Sequence, residues 1–488
     1  MDLIATVVLA MVAVIVIAAA VACVKSPRMG LIFFFGFAAM HLTVRALLLE
    51  SFEIPGFLTS VWQDVLIVSM CIGVLRKKPW QTIRVYPLDI AVFAVLLLVP
   101  LAFIKGGIPF LGVYGFRMTY MPVLLYFIAR GMDLDDESLT MIKYLLGICM
   151  VLALIGIVLN FAALDFRNSL FDRFEIPRHR TFRINRMTSI LYDPPVFGGL
   201  MALAFLVSLA YATSARLTRK AMATWMVSCL LFLFCAVVSI SRGAWVGLAV
   251  GTTLICALSW RKGLVVLAVL SVLVCGAVKW APEATEKIGL VKIGRGVASI
   301  PHIAGEGTTR GRIWRGVLGE IRENPLGFGL GRAGHVAKRF KDRYPDIKLS
   351  IMSADGWYLK HTIETGVFGM AVFAVFMAVC AASLFLMWRA EEEASPKALV
   401  LGVLAAFICY SVQAAASNVW DFFFAAPFVW ALLGLLCSTR NMEPNETQVD
   451  PAGRIWLSLS VRNKLTAIVL GAVLVLDLVC TVLGRHVL

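Results

Sequence analysis

Residues 3–24 read LIATVVLAMVAVIVIAAAVACV, a run that contains no charged side chain. About 20 consecutive apolar residues are enough for a helix to cross the hydrocarbon core of a bilayer. No lysine or arginine precedes the run and no small-residue cleavage pattern follows it, which favours a retained membrane helix over a removed signal peptide. The run therefore predicts a first membrane-spanning helix.

Similar apolar runs recur along the chain, and we count about 14 by the same rule. The others lie near residues 31–50, 57–75, 88–104, 118–130, 141–163, 194–213, 221–240, 243–259, 263–279, 358–388, 397–415, 420–437 and 465–484.

The whole composition agrees with these runs. Of 488 residues, 60% are hydrophobic and 15% are charged, whereas soluble domains are about half apolar and a quarter charged. We predict an all-α, polytopic bundle of about 12–14 transmembrane helices with one large, partly helical loop outside the membrane. Its parts would be N-terminal helices at 1–279 with a basic loop at about 165–192, the large loop at 280–357, and C-terminal helices at 358–488.

The formal net charge is +15, and the basic residues fall between the apolar runs. This placement favours phospholipid headgroups or an anionic substrate as partners over nucleic acid. The 11 cysteines lie almost entirely inside apolar runs and form no CxxC pair. Because buried cysteine behaves as a small hydrophobe, we predict neither a disulfide nor a metal site.

Lysine and arginine in the short connections set the predicted orientation. Lys25, Arg76, Arg216, Arg261 and Arg389 all fall on one side, which the positive-inside rule makes cytoplasmic. The two longest polar segments then face outward. The first holds six arginines against three acids. Such segments are either merely solvated or bind an anion such as a phosphate, which arginine grips with two parallel hydrogen bonds; we favour the second interpretation.

Two arginines stand at the outer ends of predicted helices. Arg117 lies in FRMTYMP (116–122), and Arg242 lies in the short turn SISRGAW (239–245). A tight helix hairpin needs small and polar residues in any case. The alternative is that both guanidinium groups reach one outer cavity.

The large outer segment contains a predicted helix and a glycine-rich stretch. The helix starts near Thr309, carries Arg310 and Arg312, and continues through Val317, Leu318 and Ile321, whose spacing predicts one apolar face. It ends at NPLGFGLG (324–331). This stretch has the glycine density of a phosphate loop, but no strand precedes it and no GK[ST] follows, so a turn is the better interpretation.

Next, SADGWYLKHTIETG (353–366) leads into a spanning run. Asp355 is either a helix cap or a general base, which has to reach the proton that it removes. His361 and Glu364 are further candidates. A lone histidine one to two turns deeper than Asp355 is more often a structural hydrogen-bonding residue.

These motifs together resemble the O-antigen ligase and Wzy-type polymerase family. The similarity lies in RGRIW (310–314), NPLGFG (324–329), ADGWYL (354–359) with Glu364-Thr-Gly366, SRGA (241–244) and RMTSILYDP (186–194), in the family's order. With the arginine-led helix at Arg117, the matches extend from about residue 117 to 370.

The resemblance implies an inverting, metal-independent glycosyltransferase without a cofactor, at the periplasmic face of the bacterial inner membrane. Its donor would be a glycan on undecaprenyl pyrophosphate, and a chain-length regulator or a flippase would be its protein partners. By position, Arg186, Arg242 and Arg310 match the arginines that neutralise the pyrophosphate leaving group. Four further residues would bind substrate: Arg117, Arg312, Tyr358 and His361.

One departure bears on the reaction. The ligase branch of the family has its catalytic histidine where this chain has Asp355. A carboxylate can still accept a proton in an environment that disfavours its charge; otherwise His361 or His335 serves, or the residue only orients sugar hydroxyls. The departure favours a polymerase of lipid-linked repeat units over a ligase that transfers glycan to lipid A core. A transporter of lipid-linked glycan is the third hypothesis, although we see no repeat between the two halves.

Overall fold

The computed structural model describes residues 3–52, 61–77, 86–132, 137–173, 186–260, 263, 309–349, 356–421 and 424–438. Within these ranges the regular structure is helical and contains no strand, which confirms the predicted all-α class. Asp355, the side chain of Arg310, the outer segment at 280–308 and the apolar run at 465–484 lie outside the described residues, as does the run at 263–279 beyond its first residue.

The described helices follow one another in this order: α1 Leu3–Lys25, α2 Pro27–Phe52, α3 Val61–Lys77, α4 Pro87–Gly106, α5 Pro109–Thr119, α6 Leu124–Gly131, α7 Ser138–Ile157, α8 Leu164–Arg173, α9 Pro194–Ser214, α10 Arg219–Val238, α11 Arg242–Leu258, α12 Thr309–Glu323, α13 Gly334–Phe340, α14 Trp357–Ala390, α15 Ala394–Ala414 and α16 Ala425–Ser438. Short turns of other helix types are Met121–Val123, Val158–Ala162, Ser189–Leu191 and Val419–Asp421.

Seven of the helical segments in the described part are long and apolar enough to cross a membrane. They are α4, α5 with α6, α7 with its following π turn, α9, α10, α14 and α15; the apolar helices α11, α16 and the Ala10–Lys25 part of α1 are shorter. The protein is therefore a polytopic membrane protein, as predicted.

The described residues form two compact units that alternate along the chain. Unit 1 comprises Met1–Met70, Leu139–Thr308 and Leu384–Val419, and unit 2 comprises Cys71–Ser138, Thr309–Ser383 and Trp420–Leu488.

The centre of unit 1 is α9, which packs against α10, α11 and α15. A helix that is apolar all round lies either inside a protein or in a membrane, and α9 is buried inside the protein along almost its whole length. Small residues permit the close approach that membrane helices need: a Cβ added at Gly402 of α15 would lie 2.9 Å from the Val207 Cα of α9. By contrast, α10 leaves Val227 and Leu230 exposed, as a lipid-facing helix does.

In unit 2, α16 packs along α6. Pro122 separates α5 from α6 because proline cannot donate the helical hydrogen bond at its position. The two helices pack closely, and a Cβ added at Gly434 of α16 would lie 2.8 Å from the Ala129 Cβ of α6.

The amphipathic helix α12 begins at Thr309 and ends at Glu323, as predicted. Its apolar face differs from the prediction at one position, because Leu318 is 47% exposed. The buried face is built from Ile313, Val317 and Ile321, which pack against Ile363 of α14. The spacing is i, i+4, i+8, which lies on one face; Leu318 is rotated by about 100° from Val317 and points outward.

Candidate functional site

The segment that carries Arg186 is bound to the turn between α10 and α11, within unit 1. Arg186 Nε donates a hydrogen bond of 3.0 Å to the Ser239 carbonyl oxygen, and the Met187 amide donates one of 3.3 Å to the Val238 carbonyl oxygen. Ser189 anchors the same segment through a 2.7 Å bond from its hydroxyl to the Leu152 carbonyl oxygen. The structure thus holds Arg186 beside the turn that leads into Arg242.

Three charges meet at this place. Burial lowers the pKa of the Arg186 guanidinium, the nearby Asp193 carboxylate raises that pKa, and the Arg242 guanidinium lowers it. Arg242 is the first residue of α11, and Asp193 immediately precedes α9. Arginine stays protonated at any physiological pH, so two cations and one anion give this group a net charge of +1. Such a group suits an anionic ligand with several oxygen acceptors.

The backbone beside Arg242 is strained. Ile240, which lies between Ser239 and Ser241, has a φ of +50°. In this region the side chain of an L-residue crowds the backbone, at a cost of about 1–2 kcal/mol, and β-branched residues are genuine outliers there. Strain of this kind persists only where the surroundings enforce it, and it clusters at functional sites.

Gln413 links the starts of α9 and α11. Gln413, at the end of α15, donates a 2.8 Å hydrogen bond from Nε2 to the Pro195 carbonyl oxygen at the start of α9. A Cβ added at Gly243 in α11 would lie 3.4 Å from the Gln413 Cγ. Both helix starts therefore contact the same glutamine side chain, which fixes the spacing of Asp193 and Arg242.

Unit 2 contains a buried ion network that the sequence analysis missed. The Lys360 Nζ lies 2.9 Å from Asp421 Oδ1 and 3.1 Å from Glu364 Oε2, and it donates a 2.9 Å hydrogen bond to the Thr119 hydroxyl. The Lys360 side chain is only 1% exposed. The signal was present in the sequence, because a charge inside an apolar membrane run is costly and marks a special position.

This network joins three elements of unit 2: α5 through Thr119, α14 through Lys360, and the turn at Asp421. Thr119 donates to Asp421 Oδ1 at 2.8 Å, and the indole of Trp357 donates to the same oxygen at 3.1 Å. Arg117 lies two residues before Thr119, and Tyr358 directly follows Trp357. The network therefore fixes the backbone on which both predicted substrate-binding side chains stand.

His361 lies inside an aromatic group beneath this network. Its ring stacks on Trp357 at a centroid distance of 4.6 Å and an interplanar angle of 12°, and its Nδ1 lies 3.3 Å from the Tyr120 hydroxyl. The side chain is 1% exposed. These contacts give His361 packing and hydrogen-bonding partners inside the protein, and its contact with substrate stays a prediction.

The glycine-rich stretch 324–331 is a turn docked on a break in α14. Gly366 has φ +77° and ψ −179°, a conformation that interrupts the helix. The Val367 amide consequently donates to the Pro325 carbonyl oxygen at 2.8 Å, and the released Ile363 carbonyl oxygen accepts from the Phe328 amide at 2.7 Å. In a continuous helix Val367 would donate to Ile363.

The remaining amides of this turn are also used inside the protein. Gly329 donates to the Glu364 carbonyl oxygen at 3.0 Å and Leu330 donates to the Ala102 carbonyl oxygen at 3.1 Å, while Gly331 donates to Glu364 Oε1 at 3.0 Å. Four successive amides, from 328 to 331, thus have partners in the protein. The interpretation as a turn is confirmed, and these amides do not form a phosphate cradle.

The other predicted residues of unit 2 have different surroundings. Arg312 is exposed on α12, whereas Arg117 and Tyr358 are half-buried. Of Arg310 the structure describes the backbone, which lies in the first turn of α12. Arg186 and Arg242 lie together in unit 1. Within the described ranges, no group of three His, Cys, Asp or Glu side chains is placed to hold a metal ion.

Comparison with protein families adds a further finding. Residues 227–374, less than half of the chain, match the model of a family described as O-Antigen ligase. Comparison with curated proteins gave no match. The matched range includes SRGA (241–244), α12, the glycine-rich turn and the start of α14, on which the resemblance was partly based; the other two elements of the resemblance, RMTSILYDP (186–194) and the helix at Arg117, lie outside the range. Residues 227–374 are therefore similar to the O-antigen ligase family, which agrees with the resemblance that the motifs in this range predicted.

Proposed function

We propose that this protein is a glycosyltransferase of the periplasmic membrane face that polymerises oligosaccharide repeat units carried on undecaprenyl pyrophosphate, for an O-antigen or an exopolysaccharide. The family match supports an enzyme of the O-antigen ligase and polymerase type. The single observation that carries the proposal is the 3.0 Å hydrogen bond from Arg186 Nε to the Ser239 carbonyl oxygen, which holds Arg186 beside the turn that leads into Arg242.

The proposed reaction has a simple atomic balance. A sugar hydroxyl oxygen of the acceptor attacks the anomeric carbon of the donor, the bond from that carbon to the pyrophosphate oxygen breaks, and the lipid pyrophosphate leaves with the bonding electrons. The hydroxyl proton passes to a base, for which we propose the Asp355 carboxylate. The configuration at the anomeric carbon inverts because attack and departure occur on opposite faces.

Arginines supply the electrostatic part of this mechanism. Negative charge grows on the bridging oxygen as the bond breaks, and fixed cations aimed at that charge are usually the largest catalytic contribution. We assign this role to Arg242, with Arg186 beside it holding the pyrophosphate; Arg310 and Arg117 are the further arginines that the family resemblance implies. Arg312 and Tyr358 would contact the glycan, and the His361 ring packs on Trp357, the neighbour of Tyr358.

The test is the lipid-linked product profile of a deletion strain complemented with variants. We expect the deletion strain and Arg242→Ala to accumulate a single repeat unit on the lipid carrier. Arg219→Ala is the matched control, because Arg219 begins α10 and is exposed, and it should restore long polymer. Full-length polymer from Arg242→Ala, in protein that inserts and accumulates normally, would refute the proposal.

A ligase that transfers the finished glycan to lipid A core is the second candidate, and the description of the matched family favours it. The two activities differ in acceptor. Purified protein would be given a mass-tagged lipid-linked donor with either lipid A core or a second lipid-linked repeat. Transfer to the repeat supports the polymerase, and transfer to lipid A core alone supports the ligase. Accumulation of long lipid-linked chains in the deletion strain would likewise indicate the ligase.

Transport and assembly give the remaining outcomes. If the deletion strain lacked the donor at the outer leaflet, the protein would be a transporter of lipid-linked glycan. A polymerase would work with a flippase that delivers repeat units and with a chain-length regulator. Co-purification of the regulator with the full-length protein from crosslinked membranes would test that association.

A further inference from the structure

Unit 2 presents a group of aromatic rings where α13 meets the start of α5. The Phe340 ring lies 5.0 Å from the Phe110 ring and 4.9 Å from the Tyr114 ring, between ring centroids, and Phe110 lies 5.1 Å from Tyr114. All three side chains are half-buried. Edge-to-face contacts at these distances are favourable, so the rings fix α13 against α5.

Two arginines lie over these rings. The Arg343 Cζ is 4.8 Å from the Phe110 centroid, and the Arg339 Cζ is 5.6 Å from the Phe340 centroid and 5.8 Å from the Tyr114 centroid. Cations at this range are attracted to the ring face. We call these five residues, Phe110, Tyr114, Arg339, Phe340 and Arg343, the boundary cluster.

The position of α5 sets the level of this cluster relative to the bilayer. One apolar span ends at Gly106 and the next begins at Pro109, so the turn between them marks a membrane boundary. With a rise of about 1.5 Å per residue, Phe110 lies at that boundary and Tyr114 lies about 7.5 Å below Pro109. Arg332 Nε also donates to the Gly106 carbonyl oxygen at 3.2 Å. The boundary cluster therefore lies at headgroup level, where aromatic side chains are enriched.

The charge around the cluster is strongly positive. Residues 331–349 hold six lysines and arginines against Asp342 and Asp346. Lys338, Arg339 and Lys341 are exposed. Lys105, in the last turn of α4, adds another exposed cation at the same boundary. Exposed cations at headgroup level attract anionic lipids.

We propose that the boundary cluster and its neighbouring lysines bind the headgroups of anionic phospholipids. The aromatic rings occupy the zone between headgroups and acyl chains, while the cations contact lipid phosphates. This is the pattern of a peripheral element that lies on a membrane surface. The inference concerns the bilayer and does not depend on the glycan chemistry proposed above.

The test uses the full-length protein in detergent, titrated with phosphatidylglycerol or phosphatidylcholine and followed by native mass spectrometry of retained lipid. We expect preferential retention of phosphatidylglycerol. Each cation near an anionic surface contributes about fivefold in affinity, equivalent to about 1 kcal/mol, so Lys338→Gln with Arg339→Gln should weaken retention by about 25-fold. The control pair, Arg315→Gln with Arg322→Gln, removes the same charge from exposed positions of α12 and should change retention less than twofold.

Each further outcome decides the proposal. Equal retention of both lipids, or equal losses in the test pair and the control pair, would overturn it. Displacement of phosphatidylglycerol by equimolar undecaprenyl pyrophosphate would also overturn it, because the surface would then be part of a donor site. Exposed side chains seldom determine folding, so the test pair should unfold in mixed micelles at the same midpoint as the wild type. If its midpoint is lower, the single variant Lys338→Gln should still weaken retention of phosphatidylglycerol by about fivefold.

Discussion

Replacing Lys360 by methionine tests whether the ion network of unit 2 supports the start of α14. The Lys360 ammonium lies 2.9 Å from the Asp421 carboxylate and 3.1 Å from the Glu364 carboxylate, and the side chains of these three residues are almost completely buried. Methionine has a similar volume and no charge. The variant therefore leaves two carboxylates close together without their counter-ion, in an environment with little water.

The expected magnitude follows from this burial. Removing one partner of a buried ion pair destabilises a protein by about 3–5 kcal/mol, because an uncompensated charge remains. Replacing all the charged partners by neutral groups of similar shape is often neutral or stabilising. In the triple variant Lys360→Met, Glu364→Gln, Asp421→Asn, the amide oxygens still accept from Gly331 and Trp357. The triple variant should therefore recover most of the loss.

The assay is unfolding of the full-length protein in mixed micelles with increasing sodium dodecyl sulfate, followed by tryptophan fluorescence. Lys348→Met is the matched control, because the pair of Lys348 with Glu323 at 2.6 Å is exposed on both sides. Exposed ion pairs contribute little to stability. Lys348→Met should unfold at the same sodium dodecyl sulfate fraction as the wild type, and Lys360→Met should unfold at a clearly lower fraction.

Two results would refute this reasoning. If Lys360→Met unfolds with the wild type, the three side chains do not form the network in the membrane protein. If the triple variant is as unstable as Lys360→Met, the loss comes from packing and not from charge.

Three other predictions follow from particular features. Gly366→Ala should lower the free energy of unfolding by about 1–3 kcal/mol, because alanine cannot adopt the backbone angles of the α14 break without strain and its Cβ would lie 2.5 Å from the Leu326 carbonyl carbon. The control Gly319→Ala, at an open helix position, should instead raise the free energy of unfolding by about 0.5–1 kcal/mol. Equal effects in the two variants would contradict this prediction. Chelation of metals by EDTA should leave transferase activity of the purified protein intact, and a loss that magnesium restores would show that arginines do not suffice. The nine cysteines of the described helices are buried, so peptide mapping should find them unlabelled by maleimide in the folded protein and labelled after unfolding. Labelling of one of them in the folded protein would contradict the packing described for its helix.

The sequence predicted the helices well because their signals are local. Long apolar runs bounded by charge or proline predicted α4, α9 and α15 to within a few residues. The break NPLGFGLG (324–331) was equally easy to recognise. The helix α12 ends directly before it, and its glycines have positive φ angles, which do not occur in an α-helix. These features depend on neighbours along the chain, which a single sequence displays.

The site was less legible because it depends on distant neighbours. Lys360 and Asp421 are 61 positions apart, in two different predicted apolar runs, and neither run shows in sequence which distant charge would be its partner. The outward position of Leu318 was missed because Val317 and Leu318 are adjacent and cannot share one helix face. The packing partner of α12 selects the face of Ile313, Val317 and Ile321, and that partner is distant in sequence. The nearness of Arg186 to Arg242 was expected only from a family resemblance, and it depends on a hydrogen bond to Ser239.

The glycine-rich turn bears on why arginine should dominate the proposed chemistry. In phosphate loops, backbone amides hold the anion, but here the amides from 328 to 331 are occupied by α14, α4 and Glu364. In the proposed reaction, neutralisation of the pyrophosphate would then depend on side chains. Guanidinium groups suit this task because they stay charged and offer two parallel donors. The same turn is hydrogen-bonded to the break in α14, so its glycines help to position the first turns of this helix, which carry Tyr358. In the proposed reaction these glycines therefore have a structural role, and arginines bind the anion.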